Sequence, residues 1–233
     1  MSNDAPPTKA KQKPTKLDHV ARVLLVDDHP VVRMGFAQII DDESDMEVCG
    51  QADDAAQALR LIEQTKPDLA LIDISLEKES GLELVKQIKA RGDKMAVLIA
   101  SMHDESLYAE RAIRAGAAGF VNKREAVTEL VTAIRRVLNG KIYLSEAMTD
   151  RLLNHVVSGP EAKPDETSVD ALSDRELEIF EMLGRGLTAR EIAQSLHLSI
   201  KTVDTYRSHI KSKLKLRNNS ELSVHAAAWV LEH

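Results

Sequence analysis

The stretch Arg22-Val-Leu-Leu-Val-Asp27-Asp28-His29-Pro30 decides the fold. Four apolar residues in a row end abruptly on two carboxylates, and a proline sits where a helix would take its first residue. Val32, Phe36, Ile39 and Ile40 then follow at one-face helical spacing. An unbroken apolar run reads as a strand buried on both faces, because a half-exposed strand would alternate. The same unit recurs downstream. Further runs at Met46–Cys49, Leu69–Ile72, Met95–Ala100 and Gly119–Val121 each precede a helical pattern. One is capped by Asp53 or Asp54 and ends before Pro67, and the others cover Gly81–Ala90, Asp104–Ala115 and Arg124–Leu138. Five strand–helix units predict an α/β fold, a doubly wound five-stranded parallel sheet with helices on both faces, since each crossover packs back on the sheet.

The periodicity changes after this. Lys141–Val157 holds a short extended piece and one amphipathic helix, and Ser158–Asp170 is a polar linker with two prolines and one glycine. From Leu172 on, only helices are predicted, at about 174–184, 189–196, 199–214 and 219–231. Ser173 with Glu176 forms a capping-box pattern, Thr188 and Ser199 are caps, and only His197-Leu198 separates two of the helices. So tight a turn predicts a helix-turn-helix. The expected organisation is a disordered Lys/Pro-rich tail at 1–19 and an α/β domain at 20–140. A connecting helix and linker follow at 141–171, and a small all-α domain at 172–233.

The chain has 233 residues, 43% hydrophobic and 29% charged, as in an ordinary water-soluble domain pair. Its single cysteine excludes a disulfide framework and a multi-cysteine metal site. There is no apolar run of membrane-spanning length and no apolar core in the first twenty residues, so neither a membrane partner nor a secretion signal is expected. A cytoplasmic location follows. The net charge of −6 conceals a basic stretch at 199–217, where Lys201, Arg207, Lys211, Lys213, Lys215 and Arg217 face one acid, Asp204. Charge alone does not separate a solvated helix face from a phosphate-binding stripe.

The strand ends carry the chemistry. Asp27 and Asp28 follow the first run, Asp73 the third, Ser101 the fourth, and Lys123 the fifth. In an open parallel sheet these ends share one edge, where ligands bind. Three adjacent carboxylates repel one another, and a hard divalent ion such as Mg2+, which takes oxygen ligands, relieves them. Asp73 can act as nucleophile toward a phosphoryl group, with Lys123 and Ser101 on its oxygens. On the third tail helix, Val203, Tyr206, Ile210 and Leu214 form one stripe facing the core. Lys201, Thr205, Ser208 and Ser212 lie opposite, with Lys211 and Lys213 flanking them. Small polar groups between cations suit an element lying in the major groove of double-stranded DNA.

Two families are resembled here. Asp27-Asp28, Leu71-Ile-Asp73, Gly81, Ser101 and Gly116-Ala-Ala-Gly-Phe-Val-Asn-Lys123 resemble the receiver domain of two-component response regulators over about 20–140. Leu172-Ser-x-Arg-Glu, Gly186-Leu-Thr, Glu191-Ile-Ala, Thr202-Val203, Ile210 and Lys213-Leu214 resemble the LuxR-type DNA-binding domain of NarL/FixJ regulators. The resemblance implies that Asp73 is the phosphoacceptor for a sensor histidine kinase. It also implies that Asp27, Asp28, Asp73 and the Ser75 carbonyl hold Mg2+, that Ser101 and Phe120 form a switch pair, and that Ser75 and His103 tune self-dephosphorylation. DNA contacts are implied at Arg190, Lys201, Thr202, Asp204, Thr205, Ser208, Lys211 and Lys213. The protein is expected to be a phosphorylation-controlled transcriptional regulator that pairs as a homodimer on two half-sites, not a turnover enzyme. Glu77 and Arg124 depart from the receiver pattern, each standing where a proline is usual, and Glu77 loosens its loop or adds charge near the site.

Two rival readings start from the same residues. One is a Mg2+-dependent phosphatase with an aspartyl nucleophile, but no second carboxylate follows Asp73 at close spacing to serve as acid or base. The other is a constitutive DNA-binding protein whose α/β domain is only a scaffold, and the complete acidic set argues against it.

Overall fold

The computed structural model describes residues 19–76, 79–158 and 169–232. The Lys/Pro-rich tail, Glu77 and most of the linker lie outside these. In chain order the elements are β1 (Ala21–Val26), α1 (Pro30–Asp41), β2 (Met46–Ala52), α2 (Ala55–Thr65), β3 (Leu69–Ile72) and α3 (Gly81–Ala90). Then come β4 (Ala96–Ser101), α4 (Glu105–Ala115), β5 (Gly119–Asn122), α5 (Ala126–Leu138) and α6 (Glu146–Ser158). After the linker, a 3₁₀ turn at Val169–Ala171 leads to α7 (Asp174–Gly184), α8 (Ala189–Ser195), α9 (Ile200–Lys213) and α10 (Asn219–Glu232).

The five strands make one parallel sheet in the order β2-β1-β3-β4-β5. Alternate residues of β1 point to opposite faces, as strand geometry requires. Val23 and Leu25 join an apolar cluster with Phe36 and Ile40 of α1 and Leu130 and Ile134 of α5. Leu24 and Val26 join the cluster beneath α2, α3 and α4. That second cluster runs on without a break into Leu177, Phe180, Val203, Ile210 and Leu222, so the sheet domain and the helical domain share packing. In one respect the reading of the runs is corrected. Met46–Cys49 is an edge strand, half-exposed along its middle and three residues longer than its apolar run. Its far end still pairs because β1 takes up one extra residue of β2 between Val23 and Leu24.

The helix starts follow their capping residues. Asp54, not Asp53, accepts the Gln57 N–H at 2.8 Å. Ser173 and Thr188 each form a complete capping box, with Glu176 and Glu191 reaching back to the cap N–H. Ser199 accepts the Thr202 N–H at 3.0 Å. Lys66 closes α2 in the left-handed conformation at φ 48°, directly before Pro67. At the other margin, Tyr143 bridges to Gly119 in parallel, so the segment before α6 covers the open side of β5.

Candidate functional site

The strand edge gathers the groups that the sequence placed there. Asp27 and Asp28 lie just past β1, Asp73 just past β3, Ser101 at the end of β4 and Lys123 just past β5. Lys123 Nζ is 2.7 Å from Asp27 Oδ2 and 2.7 Å from Asp73 Oδ2, and all three side chains are almost completely buried. One ligand atom from each of Asp27, Asp28, His29 and Asp73 falls within 4.8 Å of the others. His29 was not singled out from the sequence. Its Nδ1 is 2.6 Å from Asp28 Oδ1, and it stands at the exposed start of α1. Burial lifts the Asp73 carboxyl, Lys123 draws it down, and Asp27 pushes it up, leaving it at about 6. The same burial works against the Lys123 ammonium, but Asp73 and Asp27 outweigh it and hold that pKa above its usual value.

Three carboxylates against one buried ammonium form an oxygen-rich, over-acidic set, which fits a hard divalent cation. The loop after β3 is fixed on the same side. The Gly81 N–H donates to the Ile74 carbonyl at 2.7 Å, and Ser75 bridges to Ser80. A Cβ on Gly81 would stand 1.8 Å from the Asp73 carbonyl oxygen, so only glycine lets α3 start so close to the acid. Ser101 is fully buried, and its Oγ accepts the His103 N–H at 3.2 Å. The Phe120 ring is packed inside the core. Arg124, where a proline is usual, is exposed and donates its N–H to Asn122 Oδ1 at 3.0 Å.

The side chains of Ser75 and His103 do not face open solvent: they face the helical domain. His103 Nε2 is 2.9 Å from Ser75 Oγ, and that hydroxyl also donates to Glu178 Oε1 of α7 at 2.5 Å. His103 Nδ1 is 3.2 Å from Glu181 Oε2, which also accepts from the Tyr108 hydroxyl at 3.2 Å. Desolvation opposes the imidazolium, yet hydrogen bonds and charge from Glu178 and Glu181 raise His103 to about 9. The two glutamates are shifted the other way: burial raises them, and the bonds and charge of His103 more than offset it. Around this centre, Asp174 takes Lys86 at 3.0 Å and Arg111 at 3.3 Å, and Arg111 also donates to the Leu172 carbonyl at 2.8 Å. Sequence reasoning missed this seam. Asp174, Glu178 and Glu181 fall on one face of α7 at i, i+4, i+7, and this acidic stripe beside the apolar Leu177 was the available signal.

The α9 surface divides as its periodicity implies. Val203, Ile210 and Leu214 are buried and Tyr206 is half-buried, whereas Lys201, Asp204, Thr205 and Ser208 are exposed. Arg190, on α8, is also exposed. Lys211 is half-buried beside them. Asp204 is paired with Arg207 at 3.0 Å, and Thr202 Oγ1 is held by Ser199 Oγ at 2.7 Å. Lys213, expected as a flanking cation, is exposed and also reaches α7. Its Nζ lies 2.6 Å from Glu176 Oε2 and 3.2 Å from the Ala171 carbonyl, because it projects toward the start of α7.

Comparison with known proteins yields two family matches. The response regulator receiver domain matches residues 23–135, and the bacterial regulatory proteins of the luxR family match residues 170–226. The oxygen regulatory protein NreC of Staphylococcus carnosus is 35% identical over 208 residues, covering 88% of this chain and 96% of NreC. The virulence-factor transcription regulator BvgA of Bordetella pertussis is 34% identical over 201 residues, covering 86% of this chain and 94% of BvgA. Among solved structures, a LuxR-family two-component response regulator from Aurantimonas is 36% identical at a TM-score of 0.55, over 59% of this chain and 99% of that one. RcsB of Salmonella typhimurium shares the fold at a TM-score of 0.61 and 22% identity, over 90% of this chain and 98% of that one.

Proposed function

The chain belongs to the response regulators that join a receiver to a luxR-family DNA-binding domain, phosphorylation-controlled regulators of transcription, and from that premise we propose how its two halves communicate. Asp73 accepts a phosphoryl group from a sensor histidine kinase. Asp27, Asp28, Asp73 and the Ser75 carbonyl would hold Mg2+, which neutralises charge on the transferred oxygens when bound. Lys123 then turns from Asp73 to a phosphoryl oxygen, and the Ser101 hydroxyl donates to another, leaving room into which Phe120 moves.

Before that event the DNA-binding domain is docked on the receiver by its acidic seam. The observation that carries this reading is the contact of Glu178 and Glu181 with Ser75 and His103, two residues beyond Asp73 and Ser101 respectively. A phosphoryl group adds roughly −1.5 to −2 charges at neutral pH. Placed at the edge where two buried carboxylates already converge, it drives α7 away. The exposed polar face of α9 is uncovered even in the docked form, so release serves chiefly to free the helical domain to pair with a second copy. A homodimer then engages two half-sites of double-stranded DNA. Arg190, Lys201 and Lys211 serve as phosphate contacts, while Thr202, Asp204, Thr205 and Ser208 lie toward the bases. The intramolecular pair with Glu176 takes Lys213 out of that set.

Acetyl phosphate labelling tests the reading. The wild-type chain takes up label and Asp73→Asn does not, and label retained in Asp73→Asn refutes the assignment. Wild-type chain treated with beryllofluoride is expected to dimerise and to bind promoter DNA more tightly; unchanged affinity favours the scaffold reading.

A further inference from the structure

The exposed face of α9 carries cations, hydroxyls and a single carboxylate, Asp204. On charge alone an acid is out of place there, because a surface that meets DNA meets phosphates, which repel it. Resting on the reading of α9 as the helix that enters the major groove, we infer that Asp204 reads a cytosine in each half-site. Arg207 is its positioning residue, which holds the carboxylate in place and offsets its charge.

The geometry gives the two side chains different tasks. Asp204 is the fifth residue of α9, in the N-terminal part of the helix, where a recognition helix touches base edges. Its side chain is 57% exposed, whereas that of Arg207 is 18% exposed. Arg207 follows the buried Val203 by one turn, and its Nε is buried without a hydrogen-bond partner. The stem of Arg207 is therefore anchored against the domain, and its tip reaches back to the polar face, where Nη1 donates to Asp204 Oδ1 at 3.0 Å. That leaves Asp204 Oδ2 to accept from outside. The neighbouring hydroxyls are turned inward as donors: Thr205 Oγ1 to the Lys201 carbonyl at 2.9 Å, and Ser208 Oγ to the Asp204 carbonyl at 2.9 Å. An ion pair this close to water adds little to stability, so its consequence lies at the surface it shapes.

A carboxylate has no hydrogen to give, and that decides which base it tolerates. In the major groove guanine presents N7 and O6, and thymine presents O4, all acceptors that repel it. Adenine offers its N6 amine but sets the N7 acceptor beside it. Cytosine offers its N4 amine with no acceptor of its own on that edge, so it is the base best matched to Asp204 Oδ2. Without Arg207 the carboxylate turns freely and its whole charge faces the phosphates. Affinity then falls for all DNA, and the preference for cytosine narrows.

The experiment selects sites from a randomised duplex library with beryllofluoride-treated full chain. Affinity is then measured for the selected duplex with each base at each half-site position. Wild type is expected to prefer cytosine at one position per half-site, with guanine or thymine there weakening binding at least about fivefold. Asp204→Asn is expected to turn that preference to adenine, whose N6 and N7 match an amide, and to leave the other positions unchanged. Arg207→Ala is expected to narrow the preference, and Arg207→Lys to restore most of it, since an ammonium still reaches the carboxylate. Urea unfolding of Asp204→Asn is expected to match wild type. The same base preference in Asp204→Asn as in wild type overturns the inference. So does an Arg207→Ala chain that keeps the wild-type preference and loses about 0.9 of the salt slope, the mark of a phosphate contact. If wild type selects no sequence, the reading of α9 has itself failed. If it selects one that Asp204→Asn also selects, only the present inference falls.

Discussion

Raising the pH should undock the DNA-binding domain of the unphosphorylated chain, and the effect is worked from one side chain. In the docked form His103 faces Glu178 and Glu181 from α7, Tyr108 from α4 at 4.6 Å between rings, and Ser75 and the Asp73 carboxyl from the receiver. Its pKa there is about 9, because the two glutamates outweigh the desolvation that opposes its charge. In the undocked form the imidazole meets water and titrates near its ordinary value of about 6.5. The docked form therefore binds the proton more tightly. Its contribution to docking is complete below about pH 6.5 and is lost as pH rises toward 9. The difference of roughly 2.5 pH units corresponds to about 3 kcal/mol, a change of about 300-fold in the docked-to-undocked ratio. Spin-label distances across the seam, read from pH 6 to 9.5 without metal, should show the docked population falling by one proton's dependence. His103→Asn should be flat over the same range. A wild-type population independent of pH between 6.5 and 9 refutes the assignment of His103 as the charged centre of the seam.

Other outcomes follow from single contacts. Gly81→Ala places a methyl group against the Asp73 carbonyl oxygen; at least about 2 kcal/mol of stability should be lost in thermal unfolding, with phosphoryl uptake impaired. Thr188→Ala removes one half of a capping box and should cost about 1 kcal/mol, measurable by urea unfolding. Lys213→Ala leaves the buried Glu176 without its cation and should lower the melting temperature, while Lys211→Ala should weaken binding to all DNA alike and reduce the salt slope by about 0.9. An equal loss of salt slope in Lys213→Ala would return that residue to the phosphate contacts.

The α/β architecture was legible because it depends on local signals: apolar runs at the right length, caps at Asp54, Ser173, Thr188 and Ser199, and Pro30 and Pro67 as punctuation. The gathering of Asp27, Asp28, Asp73, Ser101 and Lys123 was legible for a different reason, since parallel strands oblige their C-terminal ends to share an edge. The edge position of β2 was hidden because strand order is set by which crossovers pack; Glu47, the one acid inside Met46–Cys49, was the local sign that this strand is half-exposed. The seam was hidden because its partners lie 103 residues apart at Ser75 and Glu178, and nothing near either residue announces the other. The pairing of Lys213 with Glu176 was hidden because helical angle assigns a face, whereas a long side chain at the margin of that face goes to whichever carboxylate it reaches.

The backbone around Phe120 is tied to more than the sheet. The Phe120 N–H donates to the Tyr143 carbonyl at 2.9 Å, the Tyr143 N–H donates to the Ala118 carbonyl at 3.0 Å, and α6 begins three residues beyond that tyrosine. A shift of the fifth strand by even a fraction of an ångström is thus handed, through peptide groups alone, to the helix that leads into the tether between the two halves.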